Sequence, residues 1–85
     1  MSNHPTSFVG DPRTAIKSAV EAAIVGSACQ AEGGGGHFTI TVTAAAFAGQ
    51  SLLSKQRMVL SAIAHLMKGD DAPVHAVDSL VTNTP

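Results

Sequence analysis

The chain has 85 residues, enough for one domain with a modest core, and its 45% hydrophobic content is ordinary for a globular fold and too high for a disordered chain. A net charge of −1, with five Lys and Arg scattered along the sequence, offers none of the concentrated positive potential that draws nucleic acid or anionic lipid, so protein partners are favoured. The single cysteine, Cys29, excludes an internal disulfide and a cluster held by several thiolates of this chain, and it points to a reducing compartment.

Residues 1–10 are polar, carry Pro5 and lack the basic and apolar regions of a signal peptide. They are expected to form a flexible arm ahead of one domain over 11–85. No later stretch approaches the roughly eighteen apolar residues that cross a bilayer, which points to a cytoplasmic chain with no membrane partner. Asp11-Pro12 reads as a helix start: Asp accepts from otherwise unpaired amides, and Pro at the first helical position gives up no needed donor. Ile16, Val20, Ala23 and Ile24 share a face and Gly26 is a stop, so a helix is predicted over 12–25. A weakly patterned edge strand over 27–31 leads to Gly33-Gly34-Gly35-Gly36, read as a flexible turn. The segment 37–43 alternates strictly, with Phe38, Ile40 and Val42 on one face and His37 and three threonines on the other. After a bend over 44–49, a second helix is predicted over 51–67. Leu52, Val59, Ile63, Leu66 and Met67 form its apolar side, with Arg57, Ser61, His65 and Lys68 opposite. Lys68-Gly69 closes it, residues 70–73 turn, and a last strand is predicted over 74–81.

The order helix, strand, strand, helix, strand implies an antiparallel hairpin, then a right-handed crossover through the second helix into a parallel third strand. The expected fold is α+β, a three-stranded mixed sheet with two main helices on one face. His37 and His75 then begin parallel neighbours about 4.8 Å apart, which brings both to one end of the sheet.

The run Phe47-Ala48-Gly49-Gln50-Ser51-Leu52-Leu53-Ser54-Lys55-Gln56-Arg57-Met58-Val59 resembles the signature of the BolA-like family, a Phe-x-Gly turn leading into a helix that opens on a basic triplet. His37-Phe38 before the alternating strand, Val74-His75-Ala76, and Thr84-Pro85 are similar to that family as well, over roughly residue 15 to the end. The resemblance implies a fold similar to the class II KH domain. It also implies a non-enzymatic partnership with a monothiol glutaredoxin and glutathione around a shared 2Fe-2S cluster, with none held by the isolated protein. His75, in the Val-His-Ala motif, is the implied cluster ligand. Lys55-Gln56-Arg57 replaces the Arg-His-Arg of many members, Gly34 stands where others place a second His or Cys ligand, and the segment 68–73 is longer than usual.

Each candidate also has a plainer reading. From the residues alone His75 is as well explained by an imidazole bonded to a backbone carbonyl; the resemblance favours the ligand. His37 is open between a solvated residue on the polar face and the second ligand, and its place at the sheet end argues for the latter. Cys29 is the alternative second ligand, although a free cysteine in a strand is more often a small buried hydrophobe. Lys55, Arg57 and Gly49 are candidates for contact with a partner or with nucleic acid, because KH-like folds can touch phosphates. A DNA-binding regulator is therefore the alternative function. Against it, no Gly-x-x-Gly clamp lies between helices, and three Phe with no Tyr or Trp give no stacking platform. The glycine run enters a strand, whereas phosphate loops open a helix. No nucleophile and base pair emerges, and Cys29 has no basic sequence neighbours to activate it, so catalysis is not expected.

Overall fold

A computed structural model describes residues 8–85. Helix α1 (Pro12–Ala23) is followed by strands β1 (Ala28–Gly34) and β2 (His37–Thr43), helix α2 (Leu52–Ala62) and strand β3 (Ala76–Asn83). The sheet order is β1-β2-β3, antiparallel between β1 and β2 and parallel between β2 and β3, the α+β arrangement expected from the hydropathy pattern. Phe38, Ile40 and Val42 of β2 pack with Ile16 and Val20 of α1, Val59 of α2, and Ile24 and Ile63, which directly follow the two helices, so both helices cover one face. Each such side chain removed from water stabilises the fold by about 1.5–3 kcal/mol. The threonines of β2 lie on the other face.

Local chemistry explains where the elements begin. Asp11 caps α1 by accepting from the Arg13 backbone N–H at 2.9 Å and from its guanidinium, and those bonds hold its carboxyl below the usual carboxylate range. Ser51 caps α2 through the Ser54 N–H at 3.1 Å, an interaction of about 1 kcal/mol. On edge strand β1, Lys17 donates to the Cys29 carbonyl and Glu21 accepts from the Cys29 N–H, so helix α1 blocks this part of an otherwise open edge.

The structure departs from the sequence expectations at several places. Strand β1 does not end at Ala31 ahead of a loose four-glycine turn: Gly33 and Gly34 belong to it, pairing with Phe38 and His37. Only Gly35 and Gly36 form the turn. Their φ values of 63° and 85° give the two-residue geometry whose twist matches a hairpin, and its positive φ values suit glycine. Helix α1 stops at Ala23, two residues earlier than the pattern suggests. Helix α2 stops at Ala62 and tightens into a 3-10 turn at Ala64–Leu66, and another 3-10 turn, Ala45–Phe47, buries Phe47 in the bend. Leu52 is 60% exposed, not on the packed side, because the buried stripe of α2 starts at Val59. His75 immediately precedes β3 and is not its first residue. Of the expected N-terminal arm, residues 1–7 lie outside those described, while Phe8 packs against the core.

Candidate metal-binding end of the sheet

The hairpin turn and the start of β3 meet at one corner. The Gly36 carbonyl accepts from the backbone N–H groups of both His75 and Ala76, at 2.8 and 3.0 Å, which pins His75 beside the residue preceding His37. In the parallel register His37 stands opposite Ala76. Both histidines are exposed, and the backbone brings them to the same sheet end.

His37 has a further contact that the sequence reading missed. Its Nδ1 lies 3.1 Å from Oδ1 of Asp78, with both side chains more than half exposed. Asp78 reaches it because the β2–β3 register slips: Phe38 pairs with Val77 and Thr39 with Ser79, leaving Asp78 as an extra residue. The signal was present in the spacing. Val77 and Leu80 both pack against the core yet are three residues apart, where an unbroken strand would place inward residues two apart. On the open face the pair lines a concavity with Gln30, Glu32, Thr39 and Thr41. A second concavity of about 390 Å³ lies against the glycine hairpin, between Phe8, Phe38, Arg13 and Pro73.

Cys29 is not brought to this corner. It pairs with Val42 near the other end of β2, is 1% exposed, and burial, with help from Glu21, pushes its thiol up to about 11. A thiol so placed is a core side chain, since metal ligation needs an accessible thiolate. Its linkage is testable. Between about pH 9 and 11 the unfolded chain gives up this proton while the folded chain keeps it. The contribution is thus fully present below 9 and is lost as pH rises through about 11, about 2–3 kcal/mol in all. Urea unfolding across that range should show a shallower alkaline decline for Cys29→Ala than for the wild type. A residual slope is expected from Lys17, whose ammonium its bond to Glu21 also holds up.

Lys55 and Gly49 are not at the histidine corner either. They line a shallow surface with Thr84 and Pro85, beyond the end of β3, and the intervening length of β2 is about 20 Å. Arg57 is exposed midway along α2. The cations that DNA binding or partner steering would use therefore stand apart from the imidazoles. Among the described residues no group of three or more His, Cys, Asp or Glu side chains is placed to hold a metal ion, and no helix is long and apolar enough to cross a membrane.

Residues 13–85 match the family model described as BolA-like protein. Among solved structures, a bolA protein homologue from Coxiella burnetii is 35% identical, with a TM-score of 0.74 over 89% of this chain and 94% of that one. BolA1 from Arabidopsis thaliana, 18% identical, has the same fold with a TM-score of 0.74 over 91% of this chain and 95% of its own. The BolA domain of SufE1 from Arabidopsis thaliana, 23% identical, also shares it, with a TM-score of 0.74 over 92% and 96% of the two chains. No curated protein sequence matches this one significantly.

Proposed function

This chain belongs to the BolA-like protein family, and on that premise we propose that it is a cytoplasmic, non-enzymatic partner of a monothiol glutaredoxin that binds a 2Fe-2S cluster as shared cargo. The observation that carries the reading is the corner where the Gly36 carbonyl holds the His75 N–H at 2.8 Å beside His37. An imidazole there is exposed to a partner yet anchored to the sheet.

The residues present fit a shared site. A neutral imidazole nitrogen is a competent ligand for a cluster iron, as in centres where two His replace two Cys. Two imidazoles leave the remaining positions to thiolates, which the glutaredoxin and its glutathione supply. Buried Cys29 contributes none. In this reading His75 is the indispensable ligand and His37 the second, and the cluster supplies the electron-accepting iron that the imidazoles bind. The chain's own work is positional: the backbone bonds of His75 and Ala76 to Gly36 fix the start of β3 against the hairpin turn.

The reading is tested by anaerobic reconstitution of the chain with a monothiol glutaredoxin and glutathione, followed by visible circular dichroism. A cluster spectrum distinct from that of the glutaredoxin alone is expected. If only the glutaredoxin's own spectrum appears at every mixing ratio, the shared-cargo reading is wrong.

A further inference from the structure

Asp78 has no place in the family resemblance, yet its carboxylate meets the His37 ring across 41 residues of sequence. Bulges in parallel strand pairs are rare, and bulges beside functional sites commonly re-aim a side chain. Here the extra residue is Asp78 itself, and two successive residues of β3, Asp78 and Ser79, are exposed before Leu80 returns to the core. The slip thus delivers a carboxylate to the ring while keeping Val77 and Leu80 packed.

We propose that Asp78 is a positioning residue that fixes His37 as the Nδ1–H tautomer and so leaves Nε2 as the nitrogen that binds iron. The argument is one of hydrogen-bond inventory. A carboxylate can only accept, so a contact at 3.1 Å requires the hydrogen on Nδ1, and a neutral ring with Nδ1–H has its lone pair on Nε2. Ligating histidines characteristically donate their other ring N–H to a carboxylate or carbonyl, which sets ring orientation and raises the basicity of the ligating nitrogen. The preference of a free imidazole is the opposite tautomer, so without Asp78 the ring would present its hydrogen where the iron must bind. The tautomer is a property of the isolated chain; the assignment of Nε2 to iron rests on the shared-cluster reading.

The two parts are separable by experiment. Long-range proton–nitrogen correlation spectra of the isolated chain, taken at a pH where imidazoles are neutral, report the tautomer of each ring. His37 is expected to be mainly Nδ1–H, while His65, exposed in the 3-10 turn after α2, is expected to show the ordinary preference and serves as the internal control. Asp78→Ala should move the His37 ratio several-fold toward Nε2–H. Asp78→Asn should shift the ratio less than Asp78→Ala, because an amide can either accept from Nδ1–H or donate to Nδ1, whereas a carboxylate can only accept. A His37 ratio equal to that of His65, or unmoved by Asp78→Ala, would overturn the positioning role. In the reconstituted mixture with glutaredoxin and glutathione, Asp78→Ala should weaken formation of the mixed cluster about tenfold. An unchanged mixed cluster alongside the altered tautomer would overturn the link from Asp78 to iron. If His75→Ala and His37→Ala both leave the mixed spectrum untouched, the cluster is shared elsewhere and this corner is not its site, whatever the tautomer result; if the wild-type mixture gives no mixed spectrum at all, the shared-cluster reading itself fails.

Discussion

Gly33→Ala is expected to destabilise the protein by about 3 kcal/mol, enough to lower the melting temperature of a domain this size by more than about 10 °C. Gly33 sits in β1 with φ of 122°, a conformation that side-chain-bearing residues rarely adopt. A Cβ there would also overlap the carbonyl oxygen of His37, a backbone atom that cannot swing aside without moving the first residue of β2. The strain falls on the hairpin that presents His37 and anchors His75, so the substitution should disturb the corner as well as the stability. Gly34→Ala is the matched control. Its φ is not positive and an added Cβ meets nothing within 4 Å, so it should change stability by less than about 1 kcal/mol. Thermal and urea unfolding of the two variants decide the matter: equal stabilities would mean that the glycine run is a pliable loop and not a paired strand with a two-residue turn.

The parts of the fold that were legible in the sequence are those decided locally. The alternation of Phe38, Ile40 and Val42 against three threonines defines β2, and Asp11-Pro12 marks the start of α1, where the cap bond to Arg13 is found. The extent of β1 was not legible, because glycine has no side chain to show a period and Gly33 is held in the strand by its pairing with Phe38. Leu52 looked like part of an apolar stripe, but the first turn of α2 packs against little, and only the tertiary arrangement decides that. Candidate site residues fared similarly. The parallel pairing of β2 and β3 follows from element order and brings His37 and His75 to one corner, as strand counting suggests. Where Lys55 and Gly49 fall along the crossover cannot be counted from the sequence, and they emerge at the other end of the sheet. Asp78 was not legible because a strand over 74–81 does not by itself reveal a register slip; the three-residue spacing of Val77 and Leu80 marks the slip that aims it at His37.

The largest functional effect is expected from His75→Ala. His75 is exposed and lies outside the regular strand, and its backbone bond to Gly36 survives the substitution, so the variant should fold and dock normally. What it loses is an imidazole at the corner. Surface changes away from packing typically alter stability by no more than about 0.5 kcal/mol, so a large loss of cluster binding cannot be ascribed to unfolding. Replacing a direct ligand removes a coordination bond outright, whereas losing Asp78 removes only the group that orients one; the effect of His75→Ala should therefore exceed that of Asp78→Ala. The decisive measurement is visible circular dichroism of His75→Ala reconstituted anaerobically with a monothiol glutaredoxin and glutathione, with association of the cluster-free proteins measured separately. The mixed-cluster spectrum should disappear while cluster-free association remains detectable. A mixed spectrum identical to that of the wild-type chain would remove His75 from the site and, with it, the reading of this corner as the place where the cluster is shared.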